Sequence, residues 1–286
     1  MGASALQPTT YSIGNSIFGL MDYPTKQNEW SLEQKFASLA AKGYRHLEGD
    51  FGGYDAKQVR ALAETFRFDI GCIRFGVRSI AQMQQLLQES LELNARYTVI
   101  IAGHSLDSSS KSVETIGAYL EMAAKEGMPL YVETHRDSAT QDLKRLGNIV
   151  RQLPDMKLMV DLSHLLVSGE ITDDLYDSYG EWLDPVLERA AGFHGRISNG
   201  EQIQVSIDSV HDEIAESYAR LWQKGISGWK RSVDNDLPFR FTVELGPPPY
   251  ALTVPAESGG RIELYDRLQQ GDLLIELFKN TWNRAT

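Results

Sequence analysis

The sequence predicts an α/β protein folded as a single (β/α)8 TIM barrel over residues 1–286. Eight strand-like runs alternate with eight amphipathic segments along the whole chain, which is the order of βα units rather than of segregated sheets and helices. A parallel sheet of that size is finished most simply by joining its edges. The rival, an open doubly wound sheet, lacks its usual sign, because no GxGxxG follows the first strand. No charge run, low-complexity tract or Pro/Ser linker marks a domain boundary, and α/β barrels run to ~250 residues as one domain.

The first strand reads from Tyr11 to Leu20. Ser31 with Gln34 three residues later then opens a helix from Ser31 to Lys42 as a capping box, with Leu32, Phe36, Leu39 and Ala40 on one face. Gly43 after Lys42 suits a left-handed C-cap before the second strand, Tyr44 to Phe51. Asp55 caps the next helix, which ends at Thr65. The third strand, Phe68 to Phe75, leads to a helix from Ser79 to Leu93, and the fourth, Tyr97 to Ala102, to one from Ser112 to Glu126. Pro129 to His135 is the fifth strand, followed by a helix from Ala139 to Gln152. The sixth, Leu158 to Leu162, precedes a helix from Glu181 to Ala191, and the seventh, Gly192 to Ser198, one from Val210 to Lys224. The eighth, Phe239 to Leu245, is followed by a helix from Arg261 to Trp282. The stretches Trp229 to Pro238 and Gly246 to Pro255 read as longer loops.

Composition narrows the function. Lys and Arg number 28 against 39 Asp and Glu, a formal charge of −11, which argues against the clustered cations that nucleic acid binding requires. The lone Cys72 rules out an intrachain disulfide and a cysteine zinc ribbon, so any metal would be held by oxygen and imidazole. No run approaches the ~20 apolar residues of a membrane span, and the first ten residues lack the pattern of a signal peptide, so a cytoplasmic location with no membrane partner is expected. P-loop, GxSxG and Cys/His nucleophile signatures are absent.

In a βα barrel, chemistry sits where strands end and βα loops begin. Four such ends carry hard-metal donors: Glu133 in YVETH, Asp161 in MVDLSH, His194 in GFHGR and Glu244 in TVELGP. Any one of them alone reads as a solvated or ion-paired group. Together they would set three carboxylates and an imidazole in one ring, and carboxylates that close repel unless a proton or a cation compensates. One divalent ion is the economical solution, and mixed carboxylate and imidazole donors suit Mn²⁺, Mg²⁺ or Co²⁺, with Zn²⁺ also admitted.

The set resembles the xylose-isomerase-like TIM-barrel superfamily, whose sugar isomerases and epimerases bind one divalent metal through Glu, Asp, His and Glu from the fifth to eighth strands. The matching positions are Glu133, Asp161, His194 and Glu244. Asp161-Leu162-Ser163-His164 resembles the D-x-x-H segment of the epimerases, and His194-Gly195-Arg196 with Gln204-Val205 the H-x-R segment of other members. The resemblance spans Ser12 to the last helix. It implies a metal-dependent sugar or polyol isomerase or epimerase acting by proton abstraction next to a carbonyl, with Glu133 and Glu244 as the catalytic pair on opposite sides of the metal. A keto-sugar or keto-inositol dehydratase or lyase, and a non-catalytic barrel subunit, are the alternatives. The same superfamily includes endonuclease IV-type enzymes with a three-zinc cluster, for which six histidines and an acidic chain are a poor match.

His164 and Arg196 are expected to orient substrate oxygens, although His164 also reads as a capping residue and Arg196 as an ion-pair partner. His135, on the strand face of Glu133, reads as an acid/base or hydroxyl contact, or as simply exposed. His104 and Glu48, at the ends of the fourth and second strands, are candidates for substrate contact. His46 reads as a satisfied core histidine and His211 as structural, with Trp182, Trp222 and Trp282 filling the helix and barrel interface. The expected partner is a small carbohydrate or polyol, and assembly into a homo-oligomer is left open.

Overall fold

The computed structural model describes residues 10–208, 211–232, 237–257 and 259–286. Eight parallel strands close a barrel: β1 (Tyr11–Ser16), β2 (His46–Gly49), β3 (Asp69–Val77), β4 (Tyr97–Ala102), β5 (Leu130–Glu133), β6 (Lys157–Val160), β7 (Ala190–Gly195) and β8 (Phe239–Val243). Each pairs with the next, and β1 also pairs with β8 from Tyr11 opposite Phe239 to Asn15 opposite Val243, which leaves no free edge.

The helices are α1 (Leu32–Ala41), α2 (Ala56–Phe66), α3 (Ile80–Glu92), α4 (Ser109–Lys125), α5 (Leu143–Gln152), α6 (Leu162–Gly169), α7 (Gly180–Leu187), α8 (Asp212–Arg231) and α9 (Arg267–Arg284). Ser31 and Gln34 form both bonds of the capping box at α1, and Asp55 caps α2. Outside the barrel, the buried faces of strands and helices form the main apolar core, in which Trp222 packs against Phe193 and Phe241, and Trp282 against Phe239. Trp182 instead lies between α7 and α5, with the Arg151 guanidinium over its ring.

Several expected boundaries move, each for a local reason. The first strand stops at Ser16, and Phe18–Leu20 winds into a 3-10 turn. The sixth stops at Val160 because Asp161 caps a helix, α6, that the strand reading missed. The seventh spans Ala190–Gly195, so Ala190 and Ala191 belong to it rather than to the preceding helix. The last helix begins at Arg267; Arg261–Glu263 forms instead a strand (β10) paired antiparallel with Thr253–Pro255 (β9). Val210, the expected start of the seventh helix, and residues 233–236 of the loop before β8 lie outside the described residues.

Inside the barrel, glycine makes room for large polar rings. A Cβ on Gly14 would stand 2.1 Å from the ring of His46, and one on Gly71 2.3 Å from Tyr97. His46 is fully buried between Ser12 Oγ and Thr242 Oγ1, each 2.9 Å from a ring nitrogen. Burial first, then the positive charges of Arg240 and His194, hold its pKa well below 6.5. The folded protein therefore refuses a proton that the unfolded chain accepts near pH 6.5, so this contribution to stability is complete above that pH and is lost as the pH falls below it. Urea unfolding is expected to show stability dropping below about pH 6.5 with a His46 share of up to about 1.4 kcal/mol per pH unit. In His46→Asn that share of the slope disappears; an unchanged slope would show that His46 is not the group responsible.

Candidate functional site

The ends of the last four barrel strands bring the expected donors together. Glu133 is the last residue of β5, Asp161 follows β6, His194 lies in β7 and Glu244 follows β8. One donor atom from each lies within 4.8 Å of the others, and all four side chains are buried. Asp161 is oriented by its capping role, its Oδ1 accepting from the Ser163 amide at 2.8 Å and the Ser163 hydroxyl at 2.5 Å. Arg196, two residues beyond His194 and so on the same strand face, donates through Nη2 to Asp161 Oδ2 at 2.8 Å and Glu244 Oε2 at 2.7 Å. His194 Nε2 lies 2.6 Å from Glu48 Oε1, and its Nδ1 faces Glu133 at 3.4 Å and Glu244 at 3.2 Å.

This cluster is short of positive charge. Glu48, Glu133, Asp161 and Glu244 share the volume with one guanidinium, and negative charge remains in excess even with His194 protonated, whenever all four are ionised. The environment responds unevenly. Burial pushes the Glu133 carboxyl up to about 8, against the pull of His194. Burial also pushes on Asp161 and Glu244, but nearby positive charge outweighs it and leaves both below their ordinary values, Arg196 acting most on Asp161 and His194 on Glu244. For His194, burial is overcome by Glu244, Glu133 and Glu48, so the ring holds its proton well above 6.5. Glu133 Oε2 and His194 Nδ1 have no hydrogen-bond partner among the described residues. A divalent cation fits these residues: it would meet both unpartnered atoms, take the place of the protons on Glu133 and His194, and balance the carboxylates. Carboxylate and imidazole donors agree with Mn²⁺, Mg²⁺, Co²⁺ or Zn²⁺.

The remaining candidates divide. His164 sits in the first turn of α6, almost fully buried, with neither ring nitrogen hydrogen-bonded among the described residues and Nε2 3.7 Å from Asp161 Oδ2. His135 stacks on it at 3.7 Å between centroids and faces the carbonyl of Arg136 through Nδ1. His164, His135 and Arg196 line the same cavity as Glu133 and Glu244. Glu48 is not on that wall: it is completely buried, with Oε1 2.6 Å from His194 Nε2. His104 is also off the cavity wall. Its Nδ1 accepts from the Leu106 amide at 3.0 Å and its own amide donates to Asp107 at 2.9 Å, which makes it part of the turn after β4. His211 is the N-cap residue of α8 and pairs with Asp208.

The sequence reading missed Tyr250. Its ring lies under the Arg196 guanidinium at 4.8 Å and edge-on to Phe18 at 5.3 Å. It lies in the long connection directly after the eighth strand, and that position at the barrel mouth is the available signal. Gln204 holds this loop in place, accepting from the Gly246 amide at 2.9 Å and donating to its carbonyl at 3.3 Å.

Eight parallel strands thus close a βα barrel that carries a carboxylate and histidine ring at the ends of β5 to β8. No protein-family model matches the chain, and no curated protein matches it in sequence. Solved structures do. An L-ribulose 3-epimerase superposes with a TM-score of 0.61 at 13% identity, covering 96% of this chain and 95% of that one. A xylose isomerase-like TIM barrel protein from Mycobacterium smegmatis in complex with magnesium gives 0.59 at 10% identity, covering 96% of this chain and 98% of that one. A probable 3-DHS dehydratase involved in petrobactin synthesis from Bacillus anthracis gives 0.54 at 14% identity, covering 83% of this chain and 94% of that one. At such identities the likeness carries the fold. Among the described residues, no helix is long and apolar enough to cross a membrane.

Proposed function

We propose that the protein is a divalent-metal-dependent isomerase or epimerase of a small sugar or polyol. The observation that carries this reading is the convergence of Glu133, Asp161, His194 and Glu244 on one volume at the barrel mouth. These four would hold Mn²⁺, Mg²⁺, Co²⁺ or Zn²⁺. Such an ion supplies a Lewis acid beside the substrate carbonyl and lowers the cost of the charge that develops on its oxygen. One of Glu133 and Glu244, as carboxylate, removes the proton from the carbon next to that carbonyl. The C–H electron pair becomes a carbon–carbon double bond and the carbonyl pair moves onto oxygen, giving an enediolate. The other glutamate, as carboxylic acid, returns a proton to the opposite face of the same carbon for epimerisation; for isomerisation the former carbonyl carbon takes the proton while the neighbouring hydroxyl passes its own to the alkoxide oxygen and becomes the new carbonyl. Asp161 and His194 have the coordinating role. His164, with both ring nitrogens available, and Arg196 bind and orient substrate oxygens, and His135 stacked on His164 restricts its ring.

The same enediolate can expel a β-substituent instead of being reprotonated. The dehydratase with this barrel favours keeping a keto-sugar or keto-inositol dehydratase or lyase as the second reading. The deciding experiment incubates the protein with Mn²⁺ in D₂O and a panel of ketoses, inososes and 3-keto-glycosides. Deuterium is expected at the carbon that is reprotonated when the enediolate returns to a carbonyl, and an unsaturated product when the β-substituent leaves instead. Stoichiometrically metal-loaded protein that exchanges none of them refutes the reading.

A further inference from the structure

The site forms the floor of a cavity of about 390 Å³ whose halves differ in chemistry. The β5 to β8 side contributes Glu133, His135, His164, Arg196 and Glu244. The opposite side, from β1, β3, β4 and the turn after β1, contributes Ile17, Phe18, Met21, Ile73, Phe75 and Ile101. Ile73 and Phe75 share a face because they are two residues apart in β3. The register of β3 against β4 shifts between Arg74 and Val77, and within this irregular stretch Phe75, edge-on to His135 at 5.2 Å, is left 53% exposed. Met21 is 46% exposed. Large apolar side chains held in water at the rim of a polar cavity mark a surface that a ligand covers.

The polar groups on this side are already engaged. Asp50 pairs with Arg74 at 2.9 Å and accepts from the Gly52 amide at 3.0 Å, and Ser16 Oγ accepts from the Phe18 amide at 3.2 Å. Arg196 is the one cationic side chain on the described cavity wall, and it is held by Asp161 and Glu244. The nearby Arg136 lies over the Tyr250 ring at 5.2 Å, off that wall. A substrate phosphate would therefore enter a cavity rich in carboxylates, whose one wall side-chain cation already shares its charge with two of them through Nη2.

We propose that the substrate is an unphosphorylated keto-sugar carrying an apolar substituent of ring size, such as an aryl glycoside. Its sugar oxygens meet His164 and Arg196, and the substituent lies against Phe75, Met21 and Phe18. This inference rests on the reading of the site as sugar-binding and narrows its substrate. The test titrates Mn²⁺-loaded protein by calorimetry with phenyl β-glucoside, methyl β-glucoside and glucose 6-phosphate, and in parallel follows solvent-deuterium exchange on the matching 3-keto-glucosides. The phenyl glycoside is expected to bind at least about tenfold more tightly than the methyl one, with the phosphate weakest. Phe75→Ala, at a half-exposed position that truncation leaves foldable, is expected to bring the phenyl to methyl ratio toward one, with circular dichroism confirming the fold. Equal binding of the two glycosides, no measurable phenyl binding, a preference for the phosphate, or a ratio untouched by Phe75→Ala overturns the inference. A phenyl preference without exchange on any keto-glycoside overturns the proton-transfer reading and leaves the ligand class standing. Exchange without a phenyl preference does the reverse.

Discussion

Replacing Glu133 or Glu244 by Gln is expected to lower turnover by about 10²-fold or more while bound metal falls only modestly. The amide keeps an oxygen that can ligate a cation but cannot serve as a base at neutral pH. Both side chains lie at the ends of barrel strands on the wall of the one cavity, with donor atoms within 4.8 Å of each other, and the proposed mechanism has each exchange a proton with a substrate seated there. Asp161→Ala should behave differently. Its carboxylate caps α6 and pairs with Arg196, which leaves it a coordinating and structural part, so metal and activity should be lost together. Bound metal by elemental analysis and solvent-deuterium exchange on the three variants decide between them. Near-full exchange in metal-loaded Glu133→Gln and Glu244→Gln would refute the two-glutamate mechanism and make His135 or His164 the next candidate base.

Glu48→Ala is expected to weaken metal affinity by about 10–100-fold although Glu48 touches neither the cavity nor the proposed ion. Its carboxylate accepts from His194 Nε2 at 2.6 Å, so Nδ1 is the nitrogen turned toward Glu133 and Glu244. Without that partner the ring is free to rotate or to change tautomer. Glu48→Gln still offers an oxygen to Nε2–H and should retain most of the affinity, and this rescue separates ring positioning from loss of local packing. Mn²⁺ titration followed by electron paramagnetic resonance measures the affinity, and imidazole nitrogen shifts report the tautomer. Unchanged Mn²⁺ binding in Glu48→Ala would sink the assignment.

Legibility followed physical range. The capping box of Ser31 and Gln34 could be read because it acts over four residues, and Tyr97 to Ala102 because a buried parallel strand is a continuous apolar run. The four strand-end donors were visible because polar residues closing apolar strands break that pattern. α6 was missed for an equally local reason: Asp161 ends one apolar run and begins another, and only its bonds to Ser163 show that it caps a helix. Tyr250 carried no periodicity at all, being placed by Gln204, 42 residues before the glycine it holds.

The sequence by itself determined the alternation of strands and helices, the closed barrel that follows from it, and which strand ends carry ionisable groups. Those properties depend on side-chain pattern within a few residues, and the barrel converts them into one ring. The tertiary structure decided what each group faces. Glu48 and His104 looked alike as strand-end residues, yet one lies beneath the site holding a histidine 146 positions away and the other stabilises its own turn. Closure of β1 on β8 sets the tilt and stagger of all eight strands at once. Those two quantities fix whether a side chain points into the cavity, under it or away from it, and no stretch of sequence contains them.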